Sequence, residues 1–143
     1  WKGSVGGNAT FLLNVPPNRH GRLADADVRV LAQLGEKIAD FRSRRIDAAR
    51  DDSSNTVTLR FGSPQSVGAL VLEEDIARGQ RIDEAVVASC VEGGDEREIA
   101  RVQCVGYRRI ITLDKPVTAT RVRVTVTASR QGFYLADVYA VRA

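Results

Sequence analysis

Residues 9–15, "ATFLLNV", form a continuous apolar run with a β-branched and an aromatic member, closed by Pro16 and Pro17. A run without polar alternation suits a strand covered on both faces, as in a parallel sheet. The double proline removes two backbone donors and ends the ladder. The stretch after the turn, "LADADVRVLAQLGEKIADFRSRR", predicts a helix. Asp25 can cap it and Asp27 sits in the first turn, where the helix dipole favours a carboxylate. Val28, Leu31, Leu34, Ile38 and Phe41 recur at helical spacing and make one apolar face. Arg42, Arg44 and Arg45 fall at its C-terminal end and read as a solvated helix end rather than a nucleic-acid patch. The first 45 or so residues are thus one strand, one turn and one helix. A single β/α unit cannot bury both faces of its own strand, so this one requires cover from elsewhere.

The remainder reads differently. Residues 46–55, "IDAARDDSSN", form a polar linker. From Thr56 onward short strand candidates follow at steady spacing: "TVTLRFG", "SVGALVLEE", "EAVVASCVE", "REIARVQCV", "YRRIITL", "ATRVRVTVTAS" and "LADVYAV". Val57, Leu59 and Phe61 alternate with polar neighbours, as do Val122, Val124 and Val126 against Arg121, Arg123 and Thr125. Such alternation marks antiparallel strands with one wet face. Gly62-Ser63-Pro64, Gly93-Gly94 and Asp114-Lys115-Pro116 supply the turn signals. The expected architecture is one β/α unit, residues 1–48, followed by an all-β antiparallel sandwich, residues 49–143.

Composition sets the bounds. A length of 143 residues with 43% hydrophobic and 27% charged residues is globular, not disordered. A net charge of +3 is too weak to argue for nucleic acid, and no apolar run approaches the roughly 20 residues of a membrane span. No signal peptide is visible in this stretch. There is no Met, so the sequence is expected to be a piece of something longer. A hairpin across Gly93-Gly94 would set Glu92 against Arg97 and Cys90 against Ile99, leaving Cys104 roughly 16 Å further along. Cys90 and Cys104 are therefore expected to be free, buried thiols.

Two motifs carry a family resemblance. "SVGGNATFLLNVPPNRHGRLADADVRVL" resembles the end of the catalytic barrel in glycoside hydrolase family 29, the α-L-fucosidases, with the branch acting on α-1,3/1,4-linked fucose most similar. Leu72, Glu74, Ile76, Gly79, Gln80 and Arg81, then Val105, Gly106, Tyr107, Arg108, Arg109 and Ile110, resemble the two signature stretches of the discoidin-like (galactose-binding-like) sandwich that follows that barrel. The resemblance implies a retaining fucosidase acting on fucosylated glycans, in a secreted, periplasmic or lysosome-like compartment. It implies no cofactor or metal, and a remaining barrel portion as the partner of this chain. It also implies that "DAARDDSSNTVTL" is shorter than the corresponding segment of relatives, so that the sandwich is trimmed or residues are missing near 48–55.

No catalytic residue carries over, since the nucleophile and the fucose-binding histidines lie in earlier motifs that this chain lacks. His20, the single histidine, belongs to the turn "NRHG". Asn14 and Asn18, beside the Pro-Pro rim, are the substrate-side candidates, with loop hydrogen bonding as the alternative. Tyr107, Arg108 and Tyr134 are the glycan candidates on the sandwich, with core packing as the alternative. Glu73 and Glu74 should point to opposite faces, with Glu74 in a structural pairing with Arg81 or Arg108. "LEEDI" is a poor calcium pattern. Asn8-Ala9-Thr10 is formally a glycosylation sequon at the mouth of a strand and is discounted. Trp1 should pack against the helix preceding the strand. The rival readings are a non-catalytic carbohydrate-binding module and a structural or adhesion sandwich.

Overall fold

A computed structural model describes residues 1–91 and 93–143. The described residues form one helix, α1 (Asp25–Ser43), and six strands: β1 (Ala49–Asp52), β2 (Thr56–Glu74), β3 (Ile82–Cys90), β4 (Arg97–Gln103), β5 (Arg109–Ser129) and β6 (Leu135–Arg142). All pairings between strands are antiparallel, in the order β1-β2-β5-β3-β4, with β6 on the far part of β2.

β2 and β5 are far longer than an ordinary strand, and both bend. Residues 61–64 of β2 have only Thr120 opposite them, and residues 113–116 of β5 have only Gly68. Gly62-Ser63-Pro64 and Asp114-Lys115-Pro116 therefore do not separate strands, as their turn chemistry suggests. They are the extra residues of two bulges within continuous strands, where a proline's missing donor has no ladder partner to disappoint. The bends fold one hydrogen-bonded sheet into two layers. The first half of β2 and the second half of β5 join β1, β3 and β4, while the other halves join β6.

The layers meet over one core. Val57 and Leu59, Val87, and Val122, Val124 and Val126 come from the first layer, and Val67, Leu70, Leu72, Ile111, Val138 and Ala140 from the second. Parity changes at the Gly68 bulge: Val67, Leu70 and Leu72 face this core, whereas Ala69 and Val71 face outward. A Cβ on Gly68 would stand 2.7 Å from Ala143 Cα. Gly68→Ala is expected to cost about 2 kcal/mol, because the β2–β6 bulge must open to admit it. An unchanged melting temperature in that variant would contradict the tight approach.

The outward patch of Ala69, Val71 and Val141 is covered by Phe41 at the end of α1, with Trp1, Ile110 and Tyr139 around it. Beyond Phe41 the chain runs beside β6. The Ile46 N–H donates to Ala140 O at 2.9 Å and the Arg142 N–H to Arg44 O at 2.8 Å. Burying Phe41 and closing this edge fixes the last turn of the helix. The rest of α1 stands off the sheet: Val28 is 48% exposed, and Leu31, Leu34 and Ile38 are only half-buried.

Several expectations need correction. Residues 9–15 form no strand; the run lies largely exposed, with Leu12 at 89%, because no neighbouring strand is present to accept its ladder. The N-cap of α1 is Ala24, without a side-chain bond, and Asp25 lies inside the first turn with Asp27. The linker contains β1, whose polar "ARDD" has no alternation and is recruited by pairing with residues 57–60 of β2. The β3–β4 register sets Ser89 opposite Arg97 and Val87 opposite Ala100, while position 92 lies outside the described residues. Cys90 instead pairs with Arg121 of β5. Both thiols are free, but only Cys90 is buried; Cys104 is exposed in the loop beyond β4.

Candidate functional site

Three loops gather at one end of the sandwich: residues 75–81 after β2, 104–108 after β4 and 130–134 after β5. Glu74, 4% exposed, holds the first two together. Its Oε1 accepts the backbone N–H of Arg81 at 2.7 Å and of Ile82 at 3.1 Å, and its Oε2 accepts the Gly106 N–H at 3.1 Å. The expected partners were arginine side chains; the actual ones are main-chain donors. A carboxylate offers the acceptor sites to satisfy three such donors at once. The main chain of the same segment ties in the other loops, with Glu74 N–H to Gly106 O and Asp75 N–H to Tyr134 O, each 2.9 Å.

Glu73 points away from Glu74, as strand alternation requires. It takes Arg108 in an ion pair of 2.6 Å, largely shielded from solvent. The Arg108 guanidinium also lies 5.2 Å from the centre of the Tyr107 ring. Tyr107 and Tyr134 remain 53% and 60% exposed. The rim thus presents two accessible rings, one with an arginine against it. The structure brings Tyr107 and Arg108 together and hangs Tyr134 from Asp75, just beyond β2.

Asn14 and Asn18 lie elsewhere, on the exposed arm. Asn18 Oδ1 accepts the backbone N–H groups of His20 at 2.9 Å and Arg22 at 3.1 Å, which is local loop closure of the kind Asn favours. His20 sits in that turn, exposed.

Asn8 is a residue whose role spacing did not reveal. It adopts φ 62°, a left-handed conformation that asparagine tolerates better than most residues. Its Nδ2 donates to Gln80 Oε1 at 2.9 Å, its Oδ1 accepts the Tyr107 N–H at 2.9 Å, and its own N–H donates to Arg108 O at 3.0 Å. Gly106, at φ 59°, has no room for a Cβ because the Asn8 amide fills that space. Gly7 forms a bridge with Arg109, and the Ile110 N–H donates to Gly6 O at 2.7 Å. The side chain of the sequon asparagine is thus committed within the fold. Beside it, Trp1, Asn8, Phe11, Ile76, Tyr107 and Arg108 line a cleft of about 620 Å³.

A second anchor lies at the foot of α1. The Trp1 and Phe41 rings meet edge to face with centroids 5.7 Å apart, so Trp1 packs on the helix that follows the apolar run. Arg45 donates two bonds to Asp137, at 2.7 and 3.1 Å, and covers the Tyr139 ring at 4.3 Å. The Asp137 carboxylate raises the Arg45 pKa above its ordinary value, while burial pushes the Tyr139 phenol up. Among the described residues, no group of three or more His, Cys, Asp or Glu side chains is placed to hold a metal ion. Among the same residues, no helix is long and apolar enough to cross a membrane.

No family model matches the chain. Alpha-L-fucosidase 1 of Arabidopsis thaliana is 36% identical over 74 residues, 51% of this chain and 14% of that protein. A crystal structure assigned as an α-L-fucosidase from Bacteroides thetaiotaomicron superposes with a TM-score of 0.88 at 29% identity, over 98% of this chain and 32% of that one. A Ruminococcus gnavus glycoside hydrolase family 29 fucosidase, solved in complex with fucose, shares the fold at TM-score 0.82 and 21% identity, over 99% of this chain and 35% of that one. A family 32 carbohydrate-binding module from C. perfringens NanJ, in complex with galactose, matches more loosely, at TM-score 0.52 and 17% identity over 66% of this chain and 68% of that one. The chain therefore spans about a seventh of the curated relative and about a third of the solved fucosidases.

Proposed function

We propose that this chain, which belongs with the α-L-fucosidases of glycoside hydrolase family 29, supplies the last β/α unit of a catalytic barrel and the sandwich that braces it. The whole protein then hydrolyses terminal fucose from glycans, with α-1,3- and α-1,4-linked fucose as its linkages, in a secreted, periplasmic or lysosome-like compartment. The observation that carries this reading is the uncovered apolar surface. Phe11, Leu12 and Leu13 stand exposed, as do Val28 and Val30 of α1, while Leu31, Leu34 and Ile38 are only partly covered. A strand-like run needing cover on both sides, followed by a helix needing cover on one, is what a β/α barrel provides at its closing unit.

In such an enzyme the chemistry belongs to a carboxylate pair roughly 5–5.5 Å apart, one attacking the anomeric carbon and one serving as acid and then base. Neither belongs to this chain. Its contribution is to complete the barrel wall, with Asn14 and Asn18 beside the rim at the end of the closing strand. The full-length protein is expected to release the phenol from an aryl α-L-fucoside with retention of configuration, and residues 1–143 alone to release none. Activity of the isolated chain, or none from the full-length protein, counts against this assignment.

A second reading, a carbohydrate-binding sandwich, has the exposed Tyr107 and Tyr134 rings in its favour. Binding of a fucosylated glycan to the isolated chain, abolished by Tyr107→Ala and Tyr134→Ala, would support it.

A further inference from the structure

The two anchors fix where the sandwich meets the rest of the protein. Residues 6–8 are latched to β5 and the 104–108 loop immediately before the apolar run begins. Phe41 and residues 44–46 are latched to the outer face and β6 edge of the sheet, where the helix ends. Trp1 and Phe41 tie the two feet to each other, and Lys2 Nζ lies 4.7 Å from the centre of the Phe41 ring. Everything between is one excursion that leaves the sandwich and returns to it. Just past the Pro-Pro turn the hydrogen bonds of residues 18–22 run among themselves. The dimensions agree: residues 9–15 drawn out as a strand span about 23 Å, and the 19-residue helix about 28 Å.

We infer that the sandwich is clamped to the N-terminal end of the closing strand, so that Tyr107, Arg108 and Ile76 face the end of the barrel opposite its catalytic mouth. This rests on the proposed barrel reading, because active sites of such barrels lie at the C-terminal strand ends, here the Pro16-Pro17-Asn18 end. The cleft lined by Trp1, Asn8, Phe11, Ile76, Tyr107 and Arg108 is then a docking surface for the floor of the same protein's barrel. With Arg108 held by Glu73, Arg42 and the aromatic rings suit loops that carry carboxylate and apolar side chains. The sandwich is a brace on the stability face and takes no part in placing the fucose to be cleaved.

The test uses the full-length protein with Cys104→Ser and nitroxide labels at Asn18→Cys and Tyr107→Cys. Pulsed dipolar spectroscopy is expected to give a separation of about 25 Å, the length of the strand between them. A separation under about 12 Å would place the rim at the mouth and overturn the inference, whether or not the protein is a fucosidase. In an active preparation, Ile76→Ala should leave KM for an aryl fucoside within twofold, and a tenfold rise would overturn it. Asn8→Ala should lower the melting temperature by several degrees with KM unchanged, and a melting temperature equal to the parent's would remove the latch. An inactive parent with a 25 Å separation would fail the fucosidase reading while leaving the clamp intact.

Discussion

Replacing Glu74 by alanine is expected to destabilise the sandwich by about 4 kcal/mol, a fall in melting temperature of roughly 12 °C for a domain of this size. The figure follows from what remains behind. The Arg81, Ile82 and Gly106 N–H groups all terminate on this one carboxylate, at 2.7–3.1 Å, and those at Ile82 and Gly106 are in buried bonds. A buried ion pair can sometimes be replaced by apolar residues at no cost, because both partners are removed together. Here the partners are main-chain donors and no side-chain substitution removes them, so each is orphaned at about 1–3 kcal/mol, partly offset by the relieved desolvation of the charge. Glu74→Gln should fall between, at about 2 kcal/mol. Its oxygen can serve Arg81 and Ile82, but its amide nitrogen then confronts the Gly106 donor. A thermal melt ordered parent, Gln, Ala is the expected result. A Glu74→Met variant melting within about 3 °C of the parent would show that the three donors find other acceptors. The effect should reach the rim as well, because Gly106 precedes Tyr107 and Arg108, and a loosened 104–108 loop should weaken the Glu73–Arg108 pair.

What the sequence disclosed and what it hid divide along a physical line. The alternation of Val57, Leu59 and Phe61, and of Val122, Val124 and Val126, is a local pattern, and these residues are the core. The opposed directions of Glu73 and Glu74 follow from the same period of two. Gly62-Ser63-Pro64 and Asp114-Lys115-Pro116 were legible as interruptions but not as bulges. The same residues end a strand or kink one, and only the register of the partner strand decides which. β1 was invisible because "ARDD" owes its extended conformation to the edge of β2 and not to its own side chains. At the candidate site, exposed tyrosines beside an arginine could be picked out from residue type. The Asn8 latch could not, since its partners lie 72 and 99 positions away. Three of the donors around Glu74 are backbone groups, which leave no mark on the sequence. The run at residues 9–15 signalled a need for cover, and the uncovered state of that run is the other face of the same signal.

The helix face gives the second large effect, and its direction depends on what surrounds it. Leu34 and Ile38 are half-buried, and among the described residues no strand packs closely on α1. In the chain of residues 1–143, Leu34→Lys with Ile38→Lys should change stability by no more than about 0.5 kcal/mol, the usual range for surface positions, and should improve solubility. On the proposed barrel reading, the same pair in the full-length protein should cost about 5 kcal/mol or more. Two apolar contacts are lost there and two ammonium groups are forced against a barrel sheet. The proposed fucosidase activity should disappear with the fold. Phe41→Ala is the control. Phe41 is 2% exposed, and its surroundings of Trp1, Ala69, Val71 and Val141 all belong to this chain. Its loss should therefore cost about 3–5 kcal/mol in both contexts. The opposite behaviour of the two substitutions separates a helix that completes another body from one that merely hangs in solvent. A full-length protein that tolerates both lysines as readily as the short chain does would leave the face of α1 with no partner, and the barrel reading would fall with it.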